Sequence, residues 1–221
     1  MDNQITYPYI EKFLHELQPP EDAFLQKLED FSRRENVPSA VRPTARLLYL
    51  LARLKKPERI LEIGTAVGYS ALNMYLGSDR RAKIVTVEKD EERFLLARNH
   101  FREFGALGDI KPLCGDAEEV LDTLSGPFDM VFIDAAKSAS RRYFDKALLK
   151  AGPGALIVTD NVLYGGRTAQ DGEPEHKHRT GVRAMQEYLE YLCNDTRFYT
   201  AVLPVGDGVA LTQVKEATTC M

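Results

Sequence analysis

The stretch Arg59-Ile60-Leu61-Glu62-Ile63-Gly64-Thr65-Ala66-Val67-Gly68-Tyr69-Ser70-Ala71-Leu72 constrains the fold more than any other part of the chain. A short apolar run ends in an acid and a glycine, turns within a few residues, and resumes with helix formers: strand, tight loop, helix. That order opens a nucleotide-binding α/β sheet. Gly64 and Gly68 allow torsions and a close ligand approach that a Cβ would block, and the start of the next helix offers unpaired N–H groups. The spacing is G-x-x-x-G behind an acid, with Ala at position 66. The dinucleotide fingerprint is instead G-x-G-x-x-G, its glycines serving a pyrophosphate.

An acid just before the glycine repels a pyrophosphate but can accept hydrogen bonds from a cationic amino group, which favours a ligand such as S-adenosylmethionine. Glu88 supports this. It closes the next apolar strand, Lys83 to Val87, and follows Gly64 by 24 residues. An acid at a second strand end, about 20 residues on, is placed to hold ribose hydroxyls.

At 221 residues the chain has the length of one α/β domain with a sizeable core. We expect a single domain over residues 1–221, with a helical N-terminal extension (1–56) and a cofactor-binding core (57–221). A hydrophobic fraction of 44% and a charged fraction of 28% are ordinary for a soluble protein. No stretch approaches a membrane span, and Met1-Asp2-Asn3-Gln4 lacks the basic and apolar regions of a signal peptide, so the expected location is the cytoplasm. Cys114, Cys193 and Cys220 are far apart and form no C-x-x-C pair, so neither a disulfide framework nor a zinc site is expected. A net charge of −4 argues against a chain that coats nucleic acid, while leaving room for a local basic patch.

Three N-terminal helices are predicted. Their stripes are Ile10, Phe13, Leu14 and Leu17, stopped by Pro19-Pro20; then Phe24, Leu25, Leu28 and Phe31; then Leu47, Leu48, Leu50, Leu51 and Leu54. Such faces cover a cofactor site or build a homodimer. From Arg59 onward strands alternate with helices. Asp90 to Phe104 is helical, capped by Asp90 and ended by Gly105. Strands follow at Ile110 to Leu113, Phe128 to Ile133 and Ala155 to Thr159, the last after a Gly152-Pro153-Gly154 connector, with a helix from Tyr143 to Leu149 between them. A helix from Arg183 to Cys193 precedes a hairpin, Phe198 to Leu203 and Val209 to Val214, joined by Pro204-Val205-Gly206-Asp207-Gly208. The predicted architecture is a mostly parallel, Rossmann-like α/β sheet of seven strands with one antiparallel strand.

Ligands of open α/β sheets sit beyond the carboxyl ends of the strands. Four strand ends here carry acids: Glu62, Glu88, Asp134 and Asp160. Singly, each fits a helix cap. Together at neighbouring strand ends, Asp134, Asp160 and the adjacent Asn161 form an oxygen-rich set suited to a hard divalent ion, magnesium by default. Lys137 follows Asp134 by three residues, and a cation beside it would lower its pKa and make it a usable general base.

With these residues in place, the chain from about Val37 to the C-terminus resembles the cation-dependent S-adenosylmethionine O-methyltransferases, the class I group that includes the catechol and caffeoyl-CoA enzymes. The resemblance rests on Glu62-Ile63-Gly64-Thr65-Ala66-Val67-Gly68-Tyr69-Ser70, Glu88, Gly115-Asp116-Ala117, Phe132-Ile133-Asp134-Ala135-Ala136-Lys137 and Asp160-Asn161-Val162. It implies that Asp134, Asp160 and Asn161 hold the metal and that Lys137 is the base. It also implies that Glu62, Gly64, Thr65, Ser70, Glu88, Gly115, Asp116, Ala117 and Asp134 surround the cofactor. The plant-type pattern has Asp where this chain has Ala136 and Tyr where it has Ser140, and the chain has no tryptophan to wall a flat acceptor. Within the family the Asp-Ala-Ala-Lys form and the ending Leu203 to Gly208 are similar to the bacterial tRNA 5-hydroxyuridine methyltransferases. The C5 hydroxyl and O4 carbonyl of 5-hydroxyuridine are vicinal oxygens, as in a catechol. A tRNA also needs phosphate contacts. Two basic clusters are candidates: Arg42, Arg46, Arg53, Lys55, Lys56 and Arg59, and Arg167, His176, Lys177, His178, Arg179 and Arg183. Of these, Arg42, Arg167 and Arg179 are the substrate candidates. A small-molecule catechol methyltransferase, a nicotinamide dehydrogenase and a non-catalytic nucleoside-binding module stand as alternatives.

Overall fold

The computed structural model describes residues 5–19, 22–134 and 136–216, and for Lys137 the backbone alone. The signal-peptide reading of the first four residues, Pro20 and Cys220 lie outside the described residues.

Three helices come first: α1 (Pro8–Leu17), α2 (Ala23–Arg34) and α3 (Arg42–Lys55). The alternating part then runs β1 (Arg59–Ile63), α4 (Tyr69–Gly77), β2 (Lys83–Glu88), α5 (Glu91–Phe104), β3 (Ile110–Cys114), α6 (Ala117–Thr123) and β4 (Phe128–Ile133). It continues through α7 (Ser140–Leu148), β5 (Ala151–Thr159), α8 (Arg179–Asn194), β6 (Phe198–Leu203) and β7 (Val209–Val214). The seven strands form one sheet in the order β3-β2-β1-β4-β5-β7-β6, in which β7 alone runs against its neighbours. The Rossmann-like sheet read from the alternation of apolar runs is the sheet observed.

Strands buried on both faces read as near-continuous apolar runs, and β1 follows that rule. Ile60 points into the core shared with α2 to α5, while Leu61 and Ile63 point into the core shared with α6 to α8. Glu62 is the polar member of the first face. Leu25, Leu28 and Leu48 of α2 and α3 join the same core as Ile60 and Ile84.

Several boundaries differ from expectation. Gly152-Pro153-Gly154 lies inside β5, at an irregularity in its pairing with β4, rather than in a connector. Helix α8 starts at Arg179, four residues before the first residue expected. The stripe of α1 meets no core: Phe13, Leu14 and Leu17 are 60%, 47% and 67% exposed, and Leu50 and Leu54 of α3 are exposed as well. Among the described residues no helix is long and apolar enough to cross a membrane.

Candidate active site

The strand ends open into a cavity of about 510 Å³ whose lining follows the spatial order of the sheet. Gly115 and Ala117 come from the end of β3, Glu88 and Lys89 from β2, and Gly64 and Ala66 from β1. Asp134 comes from β4 and Asn161 from β5. Pro38 and Ser39, in the connector between α2 and α3, close one side; Arg93 of α5 and Tyr143 of α7 complete the wall. The cavity therefore spans five successive strands, long enough for an extended nucleoside with a substituent.

The glycine loop owes its shape mainly to packing. Gly64 has φ +99°, and a Cβ there would lie 2.0 Å from the carbonyl oxygen of Asp134. Gly68 has φ +86°, and its Cβ would lie 2.5 Å from the ring of Phe101. Both glycines thus admit protein atoms: the first lets β4 end against β1, the second seats α4 on α5. Between them the Ala66 N–H donates to Glu88 Oε2 at 2.9 Å, and the Asp90 N–H donates to Oε1 at 3.0 Å. Those two bonds fix the orientation of the Glu88 carboxylate at the cavity wall.

Glu62, Thr65 and Ser70, expected around the cofactor, lie beneath the loop and are absent from the lining. Ser70 donates to Glu62 Oε1 and Thr86 to Oε2, each at 2.5 Å, and the Thr65 and Thr86 hydroxyls are 2.5 Å apart. Burial without a cation pushes the Glu62 carboxyl up to about 8. The two hydroxyl bonds oppose that rise, and the charges of Asp134 and Glu88 add to it. Burial therefore favours the protonated form of Glu62.

Asp116 caps α6, its Oδ1 accepting from the Glu118 N–H at 2.9 Å and its Oδ2 from Lys89 Nζ at 3.1 Å. The backbone bond and then Lys89 hold it below the usual carboxylate range. Its neighbours Gly115 and Ala117 line the cavity; the Asp116 side chain does not.

At the other end, the Asn161 carboxamide donates to Asp134 Oδ1 at 2.7 Å, and the buried Asp160 accepts the Asn161 N–H at 2.8 Å. Asn161 takes φ +63°, which turns its side chain back toward β4. Of the three residues read as metal ligands, Asn161 thus touches Asp134 and both line the cavity, while Asp160 is buried beside Asn161 and does not line it. Among the described residues no group of three or more His, Cys, Asp or Glu is arranged to hold a metal, so an ion here would draw on the amide and on groups outside the chain. The Lys137 side chain lies outside the described residues; its backbone opens a short 3-10 turn, Lys137–Ala139, which follows Ala136 of the lining in the chain.

Each of the three substrate candidates is engaged within the chain. Arg42 is 12% exposed and bonds Glu29 and Gln26 of α2, tying α2 to α3. Arg53 pairs with Asp79, Lys55 with the carbonyl of Gly154, and Arg59 with the carbonyls of Ser125 and Pro127. The first basic cluster is thus largely consumed within the chain. In the second, Arg167 lies over the Tyr164 ring at 5.5 Å, and Arg179 pairs with Glu173 at 3.4 Å. Lys89, Arg93, Tyr143, Pro38 and Ser39 of the lining escaped the sequence reading. Only Lys89 carried a signal, its position next to Glu88 at a strand end.

A family model described as O-methyltransferase matches residues 16–215. A catechol O-methyltransferase of Niastella koreensis is 31% identical over 97% of this chain and 100% of its own length. One of Mycobacterium tuberculosis is 33% identical over 75% of this chain and 77% of its own. Among solved structures, a Streptomyces achromogenes O-methyltransferase involved in tomaymycin synthesis, in complex with S-adenosylmethionine, superposes with a TM-score of 0.83 at 30% identity, covering 97% of this chain and 100% of that one. On this evidence the chain belongs to the O-methyltransferase family and is an S-adenosylmethionine-dependent O-methyltransferase.

Proposed function

We propose that the protein methylates one oxygen of a vicinal oxygen pair in a divalent-metal-dependent reaction, and that the acceptor is 5-hydroxyuridine in the wobble position of a tRNA anticodon. The observation that carries the metal-site reading is the contact of Asn161 with Asp134 beside the buried Asp160 at the cavity end. These oxygen and amide groups suit a hard cation, and Asp134, Asp160 and Asn161 would hold it. A bound divalent ion supplies positive charge that favours the ionised acceptor hydroxyl.

The chain's own residues do the rest. Glu88 accepts the ribose hydroxyls, and the Gly64–Ala66 loop with Gly115 and Ala117 seats the adenosyl group. Lys137 takes the proton from the acceptor hydroxyl. The oxygen then attacks the methyl carbon in line as the carbon–sulfur bond breaks, leaving a neutral thioether. Holding both reactants at neighbouring strand ends makes the displacement effectively unimolecular.

What supports a tRNA acceptor is the Asp-Ala-Ala-Lys form ending at Lys137, the Leu203 to Gly208 ending, and a chain without tryptophan. A second reading, a small catechol, is favoured by the names of the relatives. Methyl transfer from labelled S-adenosylmethionine, with magnesium and with chelator, tests both. The acceptors are tRNA from cells lacking the protein and, separately, a catechol panel. Magnesium-dependent 5-methoxyuridine, resolved by mass spectrometry, is the expected product; transfer to catechols alone sinks the tRNA reading, and transfer undiminished by chelator sinks the metal.

A further inference from the structure

The turn between β6 and β7 takes no part in the cavity lining, yet it holds the loop that carries Asn161. The Val162 N–H donates to the Gly208 carbonyl at 3.0 Å, the Leu163 N–H to the Asp207 carbonyl at 2.9 Å, and the Gly165 N–H to the Asp207 carboxylate. Two residues of the turn thus hold three N–H groups of the loop. The loop needs such support. Asn161 and Tyr164 both take left-handed backbone, with φ +63° and +49°, and non-glycine residues stay there only when the surroundings over-determine them. Gly208 lets the two segments touch: a Cβ there would lie 2.3 Å from Leu163 Cγ.

The same turn abuts the opposite wall. A Cβ on Gly206 would lie 2.7 Å from Thr44 Oγ1 and 2.9 Å from Val41 Cγ2. Val41 ends the connector whose Pro38 and Ser39 line the cavity. The turn is therefore wedged between that connector and the Asn161 loop, and the Asp207 carboxylate is its side-chain bond to the latter.

We propose that Asp207 is a positioning residue for methyl transfer, fixing the 161–165 loop so that the Asn161 carboxamide stands against Asp134. This rests on Asp134 and Asn161 belonging to the transfer site.

The test is kcat at saturating cofactor, with whichever acceptor turns over, alongside calorimetric cofactor affinity and thermal stability. In Asp207→Ala, kcat falls roughly 10- to 100-fold, the usual loss when a group that orients a functional ligand is removed. Cofactor affinity stays within about twofold, because the turn does not touch Gly64, Ala66 or Glu88, so the loss is confined to kcat. Asp207→Asn, which keeps an acceptor oxygen in the same place, recovers most of the rate. Should the alanine variant not fold, Asp207→Glu carries the test: a carboxylate one methylene too long displaces the loop and lowers kcat with cofactor binding retained. A kcat within twofold of wild type in both Asp207→Ala and Asp207→Glu, or cofactor affinity lost in step with turnover, overturns the proposal. Asn161→Ala in the same assays separates the causes. If it leaves turnover intact, the site reading fails and this proposal with it; if it abolishes turnover while Asp207→Ala does not, this proposal alone fails.

Discussion

Ser70, in the first turn of α4, donates its hydroxyl to Glu62 Oε1 at 2.5 Å in a space closed to solvent. Thr86 of β2 does the same to the other oxygen, so one buried acid links β1, β2 and α4 directly under the glycine loop. A carboxylate would bring a buried charge without a cation; the proton removes that cost.

The consequence is a dependence of stability on pH. The unfolded chain loses the Glu62 proton near 4.5, whereas the folded protein keeps it up to about 8. Below 4.5 both states are protonated and the contribution is complete. Between the two values the folded state binds more protons, so stability falls as pH rises, by on the order of a few kcal/mol in all. Glu62→Gln retains the shape without the titration and flattens that part of the profile. Urea midpoints at pH 5.5, 7 and 8.5 check this, and equal slopes in the two proteins would refute a neutral Glu62.

The loop glycines separate by what their Cβ would strike. Gly64→Ala drives a methyl into the Asp134 carbonyl, which is backbone and cannot yield, so we expect a loss of several kcal/mol beyond the roughly 1–2 kcal/mol for left-handed backbone. Gly68→Ala strikes the Phe101 ring instead. Adding Phe101→Leu relieves that collision, so the Gly68→Ala/Phe101→Leu double mutant is less destabilised than the sum of the single mutants. Additive losses in denaturant unfolding would show that the ring is not the obstacle.

Removal of divalent ions separates binding from chemistry. Glu88 and Asp134 line the cavity from the ends of β2 and β4, two positions apart in the sheet order with β1 between them. With chelator present, turnover is expected to fall by at least about a hundredfold while cofactor affinity changes by less than about threefold. Asp160→Ala has the same effect. Equal loss of both quantities would place the ion in the cofactor seat instead.

Much of the frame was legible because β1, β2, β4 and β5 are apolar runs with a polar residue at or beside their ends, and a doubly wound sheet brings those strand ends together. Asp134 and Asn161 meet, as their strand ends do, because β4 and β5 pair in parallel register. What stayed hidden depends on tertiary placement. Tyr143 sits on α7, and only the packing of that helix turns it to the cavity, where burial and then the charges of Asp116 and Glu118 raise its pKa. That Glu62 is buried beneath the loop on Ser70 and Thr86 was not legible, because a strand of period two does not tell which face a polar residue near its end takes. Gly152-Pro153-Gly154 has the composition of a turn, yet β5 extends through it as an irregular strand. The α1 stripe has the period of a buried face but meets no part of this chain's core. Arg42 looked free in a basic run, since the carboxylate that pairs with it, Glu29, lies on the preceding helix.

The remaining basic cluster gives a test aimed at the acceptor. Glu173 pairs with Arg183 at 3.0 Å and with Arg179 at 3.4 Å, all three side chains being substantially exposed. Such pairs add little to stability, on the order of 1 kcal/mol or less, so removing the acid leaves the fold intact. It does change what the two guanidinium groups face. In Glu173→Gln they lose their carboxylate and become available to phosphate, which strengthens tRNA binding and steepens its decline with salt, because each added phosphate contact releases further counterions. A small catechol makes no such contact, so its KM stays unchanged by the substitution and nearly flat with salt. Filter binding of tRNA from 50 to 200 mM salt, roughly the range over which counterion release is felt, measures the slope. A tRNA affinity and slope identical in wild type and Glu173→Gln would remove Arg179 and Arg183 from any tRNA interface.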